Sequence, residues 1–129
     1  MSSDKQNSWP PKKSWLSKFK NAARGIGIGI KGQNSFLVHL PVAVLVVTAA
    51  WWLSLGLVEF MVLLLCIAMV LTAELFNSSI EHISKAITEE FDDQVRRSLD
   101  IASGAVLMAT LFAVIVGMVV LGQGVLKLF

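Results

Sequence analysis

Residues Phe60 to Lys85 read FMVLLLCIAMVLTAELFNSSIEHISK. From Phe60 to Leu71 every side chain is apolar. Beyond that run Glu74, Asn77, Ser78 and Glu81 fall at i, i+3, i+4 and i+7, spacings that stack on one face of a helix. The stretch thus reads as one helix that leaves a hydrocarbon layer without ending and carries two carboxylates, an amide and a hydroxyl across the boundary. Glu74 lies near that boundary and Glu81 about two turns further out, roughly 10 Å along the axis. A carboxylate at a membrane edge is expensive to place, so the stripe is expected to be a functional site.

The remainder of the chain points to an all-α membrane protein. Of its 129 residues 55% are hydrophobic, and the mean hydropathy of +0.70 is too high for an ordinary soluble domain. The excess is concentrated in long runs, and a helix needs roughly 20 residues to cross a hydrocarbon core. Three segments qualify, at about 37–56, 60–80 and 101–122. A cleavable signal is not expected, because a polar, basic stretch precedes the first apolar run. The single cysteine, Cys66, lies mid-span among Leu, Ile and Met. One cysteine excludes a disulfide framework or a cysteine-based metal site within one chain, and it reads as filler in a helix interface.

Charge is distributed unevenly. Lys5, Lys12, Lys13, Lys18, Lys20, Arg24 and Lys31 precede the first span, and every acid except Asp4 follows it. The positive-inside rule then places the N-terminus in the cytoplasm. Three spans return the 81–100 connection to the same side, in agreement with Lys85, Arg96 and Arg97, and leave the C-terminus outside.

Residues 1–13 have no periodicity that could bury a face and read as a disordered tail. From Ser14 the pattern changes: Trp15, Leu16, Phe19, Ala22, Ala23, Ile26 and Ile30 recur at three- and four-residue steps with Lys18, Lys20 and Arg24 between them. This predicts a basic amphipathic surface helix over 14–31. Gly25, Gly27 and Gly29 interrupt it without forming a dinucleotide or Walker fingerprint, and they fit close helix packing, a flexible joint or approach to a phosphate. Lys31 to Ser35 form a polar hinge before the first span, which carries His39 and Pro41 in its opening turns and Trp51 and Trp52 at its far interface. A turn around Ser54 to Glu59 sends the chain back, with Glu59 solvated. Residues Glu89 to Arg97 read as a charged, solvated turn. Asp100 then either caps the third span or faces the stalk as a functional carboxylate, and Ser103 and Gly104 permit close helix approach.

Acids at a cytoplasmic membrane edge suit a reaction that joins a water-soluble anion to a lipid. Mg2+ takes oxygen ligands and bridges one or two carboxylates to nucleotide phosphates, a role that falls to Glu81. Glu74, closer to the lipid, is placed to accept the proton of a lipid hydroxyl. Asn77 would hold either partner by hydrogen bonds.

At these residues the chain resembles the prokaryotic diacylglycerol kinase family, small three-span membrane kinases that include undecaprenol kinases. Glu74-Leu-Phe-Asn77-Ser78-Ser79-Ile80-Glu81 is close to the family's Glu-x-x-Asn-[Ser/Thr]-[Ala/Ser]-Ile-Glu. Asp100-Ile-Ala-Ser-Gly-Ala-Val follows at the expected distance, and Arg24-Gly25 and the hinge with Phe36 also align, so the resemblance covers about residues 14–125. It implies a homotrimer in the bacterial inner membrane, with its sites at the cytoplasmic edge between neighbouring chains. Glu74 is then the catalytic base and Glu81, with the hinge residue Gln33, the metal position. Asn77 and Asp100 contribute to the nucleotide and metal site; Ser78, Arg24 and, apart from the family pattern, Lys85 are further candidates for nucleotide or substrate binding. The implied reaction transfers the γ-phosphoryl group of ATP, with Mg2+, to diacylglycerol or undecaprenol; no nucleic-acid partner is expected.

Three positions depart from the family pattern. Gln33 stands where a metal-binding glutamate is usual, Leu99 replaces the lysine before Asp100, and Lys85 replaces an aspartate. Lys85 is four residues past Glu81 on the same face, so it either supplies the phosphate contact that Leu99 cannot, pairs with Glu81, or is a solvated stalk lysine. Two further readings stay open: a family member with weak or no transfer that binds lipid or nucleotide, and a structural or channel-forming membrane protein. The last gives no reason for the acidic stripe.

Overall fold

The computed structural model of the chain describes residues 14–129; the tail expected over 1–13 lies outside the described residues. Four helices follow one another: α1 (Trp15–Lys31), α2 (Phe36–Trp52), α3 (Leu57–Ile87) and α4 (Asp93–Leu126). Among the described residues there is no strand.

α1 starts at Ser14, whose hydroxyl accepts from the Ser17 amide and satisfies one of the free donors of the first turn. It runs unbroken through the three glycines. At Gly29 the reason for a glycine is visible: a Cβ there would lie 2.5 Å from Leu75 Cδ2 of α3, so the two helices touch backbone to side chain. Gly25 and Gly27 face open space. The outer face of α1 exposes Trp15, Leu16 and Phe19, and Lys18 Nζ lies 4.8 Å from the centre of the Trp15 ring, an amphipathic surface with a cation–π contact. Across the 32–35 turn α2 departs at 106° to α1, so α1 lies across the end of the bundle that α2 enters.

α2 ends at Trp52, four residues short of the expected 56. The stop is conformational: Leu55 N–H bonds to the Ala50 carbonyl and Ser54 to Trp51, with Ser54 at φ 50°, a left-handed closure of the last turn. Ser54 is a residue type that does not advertise this conformation. Pro41 sits deeper in α2 than the opening turn and withholds the donor that the Leu37 carbonyl would accept.

α3 is continuous from the apolar run into the polar stalk, as its sequence pattern predicts. The helix that carries the third apolar run begins at Asp93, two turns before Asp100. Asp92 is its N-cap, with Oδ1 accepting from the amides of Gln94 (2.9 Å) and Val95 (3.0 Å). This corrects two expectations: Asp93 to Arg97 belong to a helix rather than a charged turn, and Asp100 does not cap it.

α4 packs along α3 as the most extensive helix pair, and α2 and α1 add to α3 from other sides. The core of this single chain is small: Phe36, Ala50, Leu63, Val70 and Ala102. Many large apolar side chains of α2, α3 and α4 face outward, as lipid or neighbouring helices require. α3 and α4 are each long and apolar enough to cross a membrane, and α2, with 17 residues, brings the count to three when taken with its bent neighbour.

Candidate active site

The stripe on α3 is the most polar part of the interior. Glu74, Asn77 and Ser78 are buried, and Glu74 is only 2% exposed. They are held there because α1 and α2 close over this end of α3. The 32–35 turn brings Gln33 to Glu81, and the opening of α2 brings His39 to Glu74.

Two polar groupings result. In the first, His39 Nε2 lies 3.0 Å from Glu74 Oε1. In the second, Gln33 Nε2 donates to Glu81 Oε2, and Asn77 Nδ2 donates to Glu81 Oε1 at 2.9 Å. The second grouping leaves a buried acceptor without a partner, Asn77 Oδ1. Such an atom costs about 1–3 kcal/mol when nothing donates to it. Its residue, whose amide nitrogen holds the Glu81 carboxylate, also lines a groove between α3 and α4 of about 1010 Å3, walled by Leu65, Phe76, Ile101 and other apolar side chains. Satisfying that oxygen calls for a hydroxyl donor or a cation.

The donor set can be tested against the metal that the family resemblance implies. Among the described residues no three His, Cys, Asp or Glu side chains gather. One carboxylate, Glu81, with the orphaned Asn77 oxygen beside it, fits a hard cation that keeps several waters and takes its remaining ligands from phosphates. Gln33 presents its nitrogen to Glu81, so to ligate through its carbonyl the amide must turn over and give up that bond.

The other expected site residues are placed differently. Ser78 Oγ donates to the Glu74 carbonyl of its own helix at 2.9 Å. Arg24 is exposed on α1. Lys85 forms no salt bridge among the described residues and lines, with Leu99 and Arg96, a cavity of about 300 Å3 at the α3–α4 turn. That cavity puts Lys85 beside the position of the missing lysine. Asp100 is bound by Arg96 at 2.9 Å on its own helix, with its side chain 67% exposed, and joins neither grouping.

His39 is the functional candidate whose partner was not legible in the sequence. Its signal would have been depth: counted from the α2–α3 turn, His39 lies roughly three and a half turns into α2 and Glu74 roughly four and a half to five into α3, within about one turn of each other.

Two known proteins are similar to the chain over most of its length. The chain is 32% identical over 114 residues to a diacylglycerol kinase of Synechocystis sp., covering 88% of this chain and 65% of that protein. It is 27% identical over 106 residues to an undecaprenol kinase of Bacillus subtilis, covering 82% of this chain and 86% of the other. The chain thus spans slightly less than two thirds of the length of the first relative. Residues 20–121, which include every residue of the two polar groupings, match the family profile described as prokaryotic diacylglycerol kinase. With the buried acidic stripe at the edge of an apolar helix bundle, this match over most of the chain shows that the protein belongs to the prokaryotic diacylglycerol kinase family.

Proposed function

We propose that the protein is an ATP-dependent lipid kinase that phosphorylates the hydroxyl of a membrane lipid alcohol, diacylglycerol or undecaprenol. The observation that carries this reading is Glu74, a buried carboxylate on the same helical face as Asn77 and Glu81, inside a chain that belongs to a kinase family. Family membership makes phosphoryl transfer the economical use of that carboxylate.

In the proposed reaction the lipid hydroxyl attacks the γ-phosphorus of ATP. The new O–P bond forms as the bond between γ-phosphorus and the β,γ-bridging oxygen breaks, ADP leaves, and the hydroxyl proton passes to the Glu74 carboxylate. Glu81 and Asn77 Oδ1 are the groups that would hold Mg2+, which supplies charge neutralisation for the phosphates. Arg24 and Lys85 are assigned to the nucleotide by their positive charge, Asp100 to the nucleotide by the family resemblance, and Ser78 to the substrate side. Because Asp100 stands apart within one chain, this assignment goes with a homotrimer in which α4 of a neighbouring copy completes the site. In this reading α1 and the site lie at the cytoplasmic face of the bacterial inner membrane, supported by the basic residues that precede the first span.

A second reading has one observation in its favour. Gln33 already occupies an oxygen of Glu81, and this fits a protein that kept the fold and binds nucleotide or lipid with weak transfer. Purified protein in bilayers with labelled ATP, Mg2+ and a panel of diacylglycerol, undecaprenol and related alcohols separates the two. Label in any lipid supports the kinase; ATP binding without label across the panel supports the second reading.

A further inference from the structure

The Glu74 carboxylate has one polar side-chain partner among the described residues, and it comes from another helix. The side chain of His39 is 21% exposed and that of Glu74 3%, so their 3.0 Å contact is made largely out of water. The base of α2 that carries His39 is anchored close by, with Phe36 2% exposed. The His39 ring also borders a cavity of about 360 Å3 between α2, α3 and α4 whose other walls, including Leu63, Val70 and Val114, offer no charge. The imidazole therefore has Glu74 on one side and, on the other, a cavity that is uncharged and apolar apart from the hydroxyl of Thr110.

A glutamate has three side-chain torsions, and a general base works only when one carboxylate oxygen stands where the hydroxyl arrives. Resting on the kinase reading, we propose that His39 is a positioning residue for Glu74, fixing the carboxylate by donating Nε2–H to Oε1 so that Oε2 faces the lipid hydroxyl. This requires the neutral ring with its proton on Nε2. The proton balance of transfer is unchanged: the hydroxyl proton ends on Glu74, and His39 neither gains nor loses one.

The test compares wild type with His39→Ala, His39→Phe and His39→Gln in bilayers, using the lipid alcohol that wild type phosphorylates best. His39→Ala and His39→Phe are expected to lower kcat about 10- to 100-fold while KM for ATP and lipid stays within about twofold. His39→Gln, which keeps a side-chain N–H donor, is expected to recover about tenfold of that loss. Recovery by Phe, which restores volume alone, an equal loss in all three variants, or wild-type kcat in His39→Ala would each overturn the assignment. Nitrogen-15 shifts of the labelled His39 ring give a readout independent of turnover: an Nε2-protonated neutral ring whose shifts move in Glu74→Gln is expected, and an Nδ1-protonated ring overturns the role. Wild type that transfers to no lipid overturns the kinase reading and this role with it, whereas an active wild type with unaffected His39 variants overturns this role alone.

Discussion

Glu74 and Asp100 are carboxylates on two long apolar helices that pack against each other, and the chain treats them in opposite ways. Glu74 is nearly inaccessible and is met by a side chain from α2. Asp100 is open and is tied to Arg96 four residues earlier on its own helix, in a network where Arg96 also meets Asp93 at 2.8 Å and Arg97 meets Asp93 at 2.8 Å. Exposed pairs of this kind contribute little, because water competes for both ions. A buried carboxylate has no such alternative and must find its partners in the protein. Within one chain, then, the α3 acids are met by side chains from outside their own turn of helix, while the α4 acid is met only by Arg96 of its own helix.

The strongest challenge to this contrast is Glu74→Gln, which keeps shape and removes the basic oxygen. It is expected to lower kcat about 10²- to 10⁴-fold without altering assembly by size-exclusion chromatography. Activity near wild type would remove Glu74 from the chemistry.

Asp100→Asn probes the other side and is expected to lower kcat/KM for ATP about tenfold through loss of one charge-assisted contact. Chains carrying Glu74→Gln mixed with chains carrying Asp100→Asn should regain part of the activity, since some sites in a mixed oligomer would combine intact Glu74 with intact Asp100 from different copies. Failure of the mixture to regain transfer would place both acids in the same chain's site.

Gln33→Glu acts on the metal half. A second carboxylate against Glu81 exchanges a hydrogen bond for like-charge repulsion, so without Mg2+ the variant should lose about 1–3 kcal/mol of stability. Mg2+ should restore more of its thermal stability than of wild type's, and equal Mg2+ responses would argue against a cation at Glu81. The smallest effect belongs to Arg96→Ala, whose exposed pairs on α4 should together cost less than about 1 kcal/mol by denaturant titration.

Much of the architecture was legible in residue order. The apolar runs and their lengths announce membrane helices, and the spacing of Glu74, Asn77, Ser78 and Glu81 announces a shared face, because burial in lipid and helical period are local properties. Helix ends were less legible. α2 stops through a left-handed Ser54, and α4 starts earlier than its charges suggest because Asp92 caps it and Asp93, Arg96, Arg97 and Asp100 pair along one helical surface. A run of charges looks the same in sequence whether it is a solvated turn or the first turns of a helix.

The sequence by itself determined that this is a helical membrane chain with an acidic stripe where α3 meets the boundary, and its motifs determined the family. Only the tertiary structure decided what each acid meets, His39 beside Glu74 and Gln33 and Asn77 on Glu81, and that a buried Asn77 oxygen is left unpartnered. The reason is physical. Periodicity places a side chain on a face of its own helix, but partners from other helices follow from how the helices bend and pack, here the turn at 106° that folds the end of α1 and the start of α2 over the stripe.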